Sequence, residues 1–240
     1  MVATYGGRVG FVVENFGQSK LAERFGIRRY PAIFVDDVLI AKPYDFGFFG
    51  EGEKAGRYNP WLAAESHEKF KKDLKRMIDL ILAGKKEDVV RERESNESPQ
   101  EVLSLPSFEI KDLAGDALTP DQLRGRIVLV EFWATWCPPC HSTLERLGGL
   151  EQSYVDKLAI LAIAVESPED KVRELAGNLS RGIHWVIATP ELGRAFGDVT
   201  AVPTMFLFDR DGKIAGLWFG APSDLEEQVA NKLVELTGNH

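Results

Sequence analysis

Nearly continuous apolar runs alternate with helical stripes in the second half of the chain. The runs RIVLVEFW (126–133) and KLAILAIAV (157–165) are typical of central strands that helices cover on both faces. Between them, apolar residues such as Leu144 and Leu147 recur at helical spacing, which predicts a helix that begins at Pro138.

The C-terminal stretch predicts three further strands and a final helix. HWVIA is one strand, and TMFLFD and IAGLWF flank the turn Arg210-Asp211-Gly212 as an antiparallel hairpin. Ser223 and Glu226 have the spacing of a capping box that opens the helix. Its apolar positions share one face: Leu225, Val229, Leu233 and Leu236. Strands that alternate with helices before a hairpin and a closing helix predict an α/β fold with a mixed central sheet.

The first half predicts a strand, a short helix, a strand with its turn, and a longer helix. RVGFVVENF is β-rich, KLAERFG is helical, and YPAIFVDDVLI is a strand and turn. An aromatic and glycine-rich loop follows from Tyr44 to Asn59. Ser66 is the predicted N-cap of the longer helix. The apolar positions of that helix lie on one face: Phe70, Leu74, Met77, Ile78 and Ile81.

A charged stretch separates the two halves. GKKEDVVRERESNESPQ (84–100) alternates in charge and has almost no large apolar side chain, so we expect it to contribute little to a core. The sequence therefore predicts a first domain at 1–84, a charged linker at 85–103 and a second domain at 104–240.

One sequence unit occurs twice. KLAERFGIRRYPAIFVDD in the first half is similar to ELGRAFGDVTAVPTMFLFDRDG in the second. Each has a short helix that ends in Phe-Gly, then Pro31 or Pro203, then a β run that closes on aspartates. The pattern predicts the same supersecondary unit in both domains.

Charge and hydropathy exclude two classes of partner. The chain has 29 basic and 37 acidic side chains, for a net charge of −8, and no basic cluster with interleaved aromatics. We therefore expect no nucleic-acid partner. No window approaches the roughly 18 uninterrupted apolar residues that span a bilayer.

The two cysteines lie within one four-residue window. Cys137 and Cys140 follow a predicted buried strand and open the next helix. Unpaired amides and the dipole at a helix start favour a thiolate, so Cys137 is the predicted nucleophile. Cys140 lies one turn away, where it can attack a mixed disulfide formed on Cys137. Pro138 and Pro139 restrict the turn and are expected to tune redox potential.

These residues carry a family resemblance. FWATWCPPC, the strand that contains it, the VPT at 202–204 and the C-terminal hairpin and helix resemble the thioredoxin superfamily, most closely the TlpA/ResA-like thiol-disulfide oxidoreductases, over residues 104–236. The resemblance implies two tandem thioredoxin-like domains, the first incomplete. It also implies reduction of protein disulfides without a cofactor, with an upstream dithiol as electron donor. One departure is HSTLERL after the cysteines, where the family commonly has an acidic residue, a hydrophobe and proline.

The resemblance assigns further roles around the cysteines. It implies a cis bond before Pro203, which faces the cysteines, and a backbone at Val202 that pairs with an extended substrate. Thr204 and Pro138 join this predicted substrate site. Trp136 is expected to line its rim, whereas Trp133 is expected in the core.

Two carboxylates are candidates for the proton carrier. Glu131 lies in an otherwise apolar strand, where burial raises a carboxyl pKa, and it matches the buried aspartate of thioredoxins. The alternative is a glutamate that a lysine or hydroxyl satisfies under the sheet. Glu166 follows the second strand and matches an acidic residue near the active site of similar proteins. The alternative for Glu166 is an acid at a helix N-terminus.

Other chemistries fit parts of the motif. Cys137-Pro-Pro-Cys140-His141 satisfies the haem attachment pattern, but adjacent prolines after a buried strand disfavour a haem domain. A zinc site lacks a second ligand cluster, and His141 is expected to face solvent. A peroxidase of the same fold places threonine three residues before the cysteine, whereas Thr135 lies two before it. A binding scaffold with a structural disulfide is the remaining alternative.

The first domain contains no cysteine and has no counterpart of the strand and helix at 127–154. We expect residues 1–84 to be a redox-inactive surface for a second copy or a partner, because a missing central strand exposes a sheet edge. The alternative is a domain that its own aromatic loop completes. The resemblance implies a location outside the cytoplasm, although the stretch MVATYGGRVGFVVENF is not expected to act as an export signal, because it has neither a long apolar core nor a small-residue cleavage site.

Overall fold

The computed structural model of the protein describes residues 2–14, 20–25, 27, 30–49, 56–94, 102–179, 182–197 and 199–238. The chain divides into two compact units, Met1–Ser98 and Pro99–His240, each with a core of its own.

The first unit combines one β-hairpin with helices. Its elements are α1 (Lys20–Arg24), β1 (Ile33–Val35), β2 (Val38–Ala41), α2 (Ala64–Leu82) and α3 (Lys86–Glu94), with 3-10 turns at Val2–Tyr5 and Pro43–Asp45. Strands β1 and β2 pair antiparallel in a sheet of two strands. The predicted helix at KLAERFG and the turn between the two strands are therefore confirmed.

Aromatic side chains from the glycine-rich loop supply a core for this unit. Phe46 packs against Tyr58, Trp61 and Phe70 with ring centroids 4.8 to 5.4 Å apart. The Tyr58 hydroxyl donates a hydrogen bond of 3.2 Å to Asp73 on α2. Such aromatic pairs stabilise beyond the area that they bury, so the loop holds α2 in place.

The predicted strand RVGFVVENF is not a strand over residues 9–14. Phe11, Val12 and Val13 are 70 to 77% exposed. Within the described residues β1 and β2 pair only with each other, so this run has no neighbouring strand to complete its hydrogen bonds. The last two residues of the run, Asn15 and Phe16, lie outside the described residues.

The predicted linker begins with a helix that packs on the first unit. Val89 of α3 is fully buried in a cluster with Val38, Ile40 and Met77. Arg76 of α2 also donates two hydrogen bonds, of 2.6 and 2.9 Å, to Glu92 of α3. The expectation that this stretch contributes little to a core is wrong at Val89. An otherwise charged helix can pack on a core through a narrow apolar face.

Both predicted helix caps are also wrong. Helix α2 begins at Ala64 after Ala63, so Ser66 lies buried in its first turn. The final helix begins after Asp224, which places Ser223 one residue outside the capping position. Neither N-cap residue, Ala63 or Asp224, makes a side-chain hydrogen bond to its helix.

The second unit is a mixed sheet flanked by helices. Its elements are β3 (Ile110–Lys111), β4 (Ala117–Leu118), β5 (Ile127–Trp133), α4 (Pro138–Ser153), β6 (Leu158–Ala164), α5 (Glu169–Ala176), β7 (Ile183–Ile187), α6 (Pro190–Ala195), β8 (Thr204–Phe208), β9 (Ile214–Phe219) and α7 (Leu225–Thr237). The five-stranded sheet has the order β7-β6-β5-β8-β9, and β3 pairs with β4 in a separate hairpin. This confirms the predicted thioredoxin-like α/β fold.

Strands β5 and β6 form the centre of that sheet. Every residue of both strands is buried, as the continuous apolar runs predict. They pair in parallel, whereas β8 runs antiparallel to β5. The carboxyl end of β5 and the start of β8 therefore meet at one edge of the sheet. In the part of the chain that the structure describes, no helix has both the length and the hydropathy to span a bilayer.

Asp112 joins the β3–β4 hairpin to strand β7. Its carboxylate accepts hydrogen bonds from the backbone amides of Ala114 and Asp116, both 2.9 Å, and lies 2.8 Å from His184 Nδ1. Burial raises the pKa of Asp112, but His184 and the two amides outweigh it and hold the pKa below its ordinary value. The ionised carboxylate therefore stabilises the fold.

We predict that Asp112→Asn lowers the free energy of unfolding by about 2 kcal/mol at pH 7, as hydrogen bonds to a buried charge imply. The pKa of Asp112 is lower in the folded than in the unfolded state, so this stability is present above the unfolded value. It is lost as the pH falls through the folded value. Urea unfolding at pH 7 and at pH 3 measures the difference, which should shrink in acid. Asp116→Asn, an exposed aspartate in the same turn, is the matched control. An equal effect of the two variants at pH 7 contradicts the assignment.

Candidate active site

The site lies where β5 ends and α4 begins. Phe132 of β5 pairs with Thr204, the first residue of β8. Cys137 follows Phe132 by five residues, and Pro203 directly precedes Thr204. The antiparallel register thus brings the cysteine pair and Pro203 to the same edge of the sheet.

Cys137 and Cys140 form a disulfide with their Cα atoms 5.4 Å apart. Cys137 is the N-cap residue of α4, and its carbonyl accepts a hydrogen bond of 3.0 Å from the Cys140 amide. Cys137 is 6% exposed, whereas Cys140 is fully buried. An incoming sulfur can therefore reach the first cysteine and not the second.

Pro138 and Pro139 occupy the first two positions of α4 and are exposed. Neither has a backbone N–H, and the next amide, of Cys140, is already used by the Cys137 carbonyl. The helix therefore favours negative charge on Cys137 mainly through its dipole, with fewer free amide donors than an ordinary helix start provides.

Two loops are tied together beside the disulfide. The Ser167 hydroxyl accepts a hydrogen bond of 2.9 Å from the Thr135 amide and donates one of 2.8 Å to the Val165 carbonyl. Trp136 Nε1 donates to the Glu166 carbonyl at 3.0 Å. These bonds fix the 52% exposed Trp136 indole next to Cys137. Sequence analysis missed Ser167, since a single serine after a strand carries no distinguishing signal.

Glu166 contributes its backbone to this contact. Its φ of +47° is left-handed, which turns its carbonyl toward Trp136. Its side chain is exposed, but the part of it that is buried raises the pKa of the carboxyl. Helix α5 begins three residues later, at Glu169, so Glu166 is not an acid of the helix N-terminus.

Glu131 is fully buried in the middle of β5. Its register partners are Ala162 of β6 and Met205 of β8, both buried. Burial raises the pKa of Glu131 to about 8, although a hydrogen bond from the Thr143 hydroxyl lowers it. One alternative for Glu131 is a glutamate whose carboxyl pairs with a hydroxyl under the sheet, and Thr143 provides such a hydroxyl at Oε1. The other oxygen, Oε2, has no hydrogen-bond partner within the described chain.

Thr143 joins Glu131 to the second cysteine. Its hydroxyl lies within hydrogen-bond distance of Glu131 Oε1 and 2.8 Å from the Cys140 carbonyl. Sequence analysis did not identify Thr143. Its position three residues after Cys140 places both on one face of α4, which is the signal that was available.

The loop before β8 contains the predicted substrate-binding residues. The Val202–Pro203 peptide bond is cis, as the resemblance implies, and so is Tyr30–Pro31 in the first unit. Val202 is partly exposed and Pro203 is buried. Thr204 is buried and its hydroxyl donates to the Ala201 carbonyl at 2.8 Å. Its side chain therefore supports the turn and does not face the surface.

His141 does not face solvent as expected. It is partly buried, and its Nε2 is buried without a hydrogen-bond partner in the described residues. Its ring packs edge-on against Trp133, which is fully buried as expected, at 6.2 Å. The helical position next to Cys140 turns inward because α4 lies directly on the sheet. The described residues contain no group of three or more His, Cys, Asp or Glu side chains placed to hold a metal ion.

Comparison with known proteins agrees with this geometry. Residues 101–233 match the Redoxin family. The thioredoxin-like protein YneN of Bacillus subtilis is 30% identical over 130 residues, which are 53% of this chain and 76% of YneN. The thiol-disulfide oxidoreductase ResA of Bacillus thuringiensis is 28% identical over 135 residues, 55% of this chain and 76% of ResA.

A solved structure has the same fold. The thiol:disulfide interchange protein of the thioredoxin family from Chlorobium tepidum is 27% identical and aligns with a TM-score of 0.50. The alignment covers 59% of this chain and 99% of that one. The family match, the relatives and the cysteine pair at the start of α4 lead to one assignment: the chain belongs to the Redoxin family within the thioredoxin superfamily and is a ResA-like thiol-disulfide oxidoreductase.

Proposed function

We propose that this oxidoreductase reduces disulfides in protein substrates, with Cys137 as the attacking and Cys140 as the resolving cysteine. The observation that supports these roles best is the difference in access: Cys137 is 6% exposed at the start of α4, whereas Cys140 is fully buried. A buried thiol cannot meet a protein substrate, but it can attack a sulfur bonded to its neighbour.

The exchange proceeds in two substitutions at sulfur. The Cys137 thiolate attacks one sulfur of the substrate disulfide, and the other substrate sulfur leaves as a thiolate that takes up a proton. Cys140, once deprotonated, attacks the Cys137 sulfur and releases the second substrate thiolate. Two electrons pass to the substrate, and the enzyme is left with the Cys137–Cys140 disulfide. An upstream dithiol donor then reduces this disulfide.

Glu131 is the proposed acceptor of the Cys140 proton. A general base works best when its pKa lies near the operating pH, and burial brings the pKa of Glu131 to about 8. The Thr143 hydroxyl links this carboxyl to the Cys140 backbone. Glu166 has a carboxyl in solvent, so its proposed contribution is the carbonyl that holds Trp136.

The substrate is proposed to lie across the loop edge formed by Trp136 and the residues around Pro203. The half-exposed indole of Trp136 offers an apolar surface beside Cys137, and the partly exposed Val202 offers its backbone to an extended chain. Pro138 is exposed at the same edge and restricts the backbone conformation of the turn that contains Cys137. Thr204 is proposed to contribute indirectly, because its buried hydroxyl donates a hydrogen bond to the Ala201 carbonyl and stabilises this loop.

We further propose an extracytoplasmic location, as the family resemblance implies, and a contact surface in residues 1–84 for a partner or a second copy. The run at Phe11, Val12 and Val13 supports a contact surface, because three adjacent apolar side chains are exposed there.

Cysteine substitutions test the two roles separately. With insulin as substrate and dithiothreitol as donor, we expect Cys137→Ser to abolish catalysed reduction, because the nucleophile is lost. For the Cys140→Ser variant, dithiothreitol is removed after the protein has been reduced and before insulin is added. We expect a covalent enzyme–insulin disulfide to accumulate on a non-reducing gel, because the resolving cysteine is absent and no other thiol is left in the reaction. Ser142→Ala, an exposed neighbour on α4, is the control. Retention of wild-type turnover by Cys137→Ser, or trapping by Cys137→Ser instead of Cys140→Ser, contradicts the assignment.

Glu131→Gln tests the proton acceptor. We expect reduction of insulin at pH 7 to 8 to slow by about 100-fold, the lower range of general acid–base effects.

The pKa of Glu131 is raised in the folded state, so its stabilising contribution is present below the unfolded value. That contribution is lost as the pH rises from about 4.5 through about 8. The Gln variant should therefore lack this decline in urea unfolding.

Glu145→Gln, an exposed glutamate on α4, is the matched control. Unchanged kinetics in Glu131→Gln would remove Glu131 from the reaction. An unchanged decline of stability with pH would mean that the carboxyl is not held protonated.

A further inference from the structure

A single hydroxyl lies between two acceptors in the core of the site. Thr143 Oγ1 is hydrogen-bonded both to Glu131 Oε1 and to the Cys140 carbonyl. All three groups are buried. Burial limits the donors and acceptors to these groups, so the number of protons that they share decides how the bonds form.

A threonine hydroxyl has one proton to donate, and a backbone carbonyl can only accept. Each bond has a proton of its own only when the Glu131 carboxyl is protonated and donates to Thr143 Oγ1, which leaves the Thr143 proton for the Cys140 carbonyl. When Glu131 is ionised, it too can only accept. The hydroxyl then turns to the carboxylate, because an unpaired buried charge costs more than the loss of a second hydrogen bond at a carbonyl that the helix already pairs.

The surroundings of Glu131 offer no substitute for this hydroxyl. Across the sheet it faces Ala162 and Met205, which are apolar. Burial and the Thr143 hydroxyl act on its pKa, and no charged side chain does so within the described residues. The titratable groups at the start of α4 are the two cysteines, which do not titrate while bonded, and His141, whose ring packs on Trp133.

We propose that Thr143 is a positioning residue that couples the protonation state of Glu131 to the backbone of the resolving cysteine. While Glu131 is protonated, Thr143 donates to the Cys140 carbonyl and fixes the first turn of α4. When Glu131 is ionised, the hydroxyl turns to it and the Cys140 carbonyl loses this bond.

The role of this coupling in catalysis rests on the proposed function, in which Cys140 resolves the mixed disulfide on Cys137. In the reduced enzyme an ionised Glu131 holds the Thr143 hydroxyl, so the turn that carries Cys140 is less constrained and its sulfur can approach Cys137. As Cys140 attacks, its proton passes to Glu131. The hydroxyl then returns to the Cys140 carbonyl, and the turn is fixed again in the disulfide form.

The direct test uses the oxidised wild-type protein and no activity assay. With ¹³C labels, the Glu131 carboxyl and the Cys140 carbonyl are followed by NMR from pH 6 to pH 10. We expect both signals to titrate with one midpoint. A Cys140 carbonyl signal that does not change while Glu131 titrates overturns the proposal.

Variants test the hydroxyl itself. Thr143→Val keeps the shape and removes the donor, so we expect the Glu131 midpoint to rise by about one pH unit and the Cys140 signal to stop following it. Thr143→Ala is a second variant without the hydroxyl, and Thr143→Ser should restore both properties. Thr237→Val is the matched control, because it removes a hydroxyl whose hydrogen bonds within the described residues go to the backbone carbonyls of Leu233 at 2.7 Å and Val234 at 3.3 Å. A wild-type midpoint in both Val and Ala variants overturns the proposal.

Kinetics separate this proposal from the proposed function. With the mixed disulfide prepared on Cys137, we expect Thr143→Val to slow its resolution by about tenfold near pH 8 and Thr143→Ser to restore the rate. If the wild-type protein reduces insulin but Thr143→Val resolves the mixed disulfide at the wild-type rate, the coupling has no role in catalysis and this inference fails alone. If the wild-type protein does not reduce insulin, the proposed function fails, and the NMR titration still decides the coupling.

Discussion

The antiparallel pairing of β5 with β8 is the constraint on which the site depends. Because Thr204 is in register with Phe132, the end of the central strand and the start of its neighbour meet at one edge. The cysteine pair follows one strand and Pro203 precedes the other. A register shift of one residue would move Glu131 from the face under α4 to the opposite face of the sheet. The fold and the chemistry are therefore specified by the same hydrogen-bond ladder.

The two cysteines and the two glutamates near this edge differ in how deeply they are buried. Cys137 is 6% exposed and Cys140 is fully buried, and the proposed order in which they act rests on this difference in access. Glu131 lies inside the sheet, where burial raises the pKa of its carboxyl to about 8, the region where proton transfer to or from a thiol is efficient. The Glu166 side chain is exposed, and its partial burial also raises the pKa of its carboxyl. Glu166 has a left-handed backbone, and its carbonyl accepts a hydrogen bond from Trp136 Nε1.

The sequence predicted the second unit well and the first unit in part. Nearly continuous apolar runs such as 126–133 are typical of central strands, and the turn at Asp211 predicts the hairpin around it. The strand expected at Phe11 failed because a β-rich run needs a partner that local pattern cannot supply. Val89 was missed because one buried side chain in a charged helix gives almost no periodic signal. His141 and Thr143 depend on the rotation of α4 against the sheet, which is a tertiary property.

The central claim is that Cys137 is a reactive thiolate at neutral pH. The most direct measurement is the rate of iodoacetamide alkylation of the reduced protein from pH 4 to pH 10, with each cysteine followed by mass spectrometry. The account predicts that Cys137 is alkylated well before Cys140, with a midpoint clearly below the value of about 8.5 of a free thiol. Equal rates for the two cysteines, or a Cys137 midpoint at the free-thiol value, would contradict it.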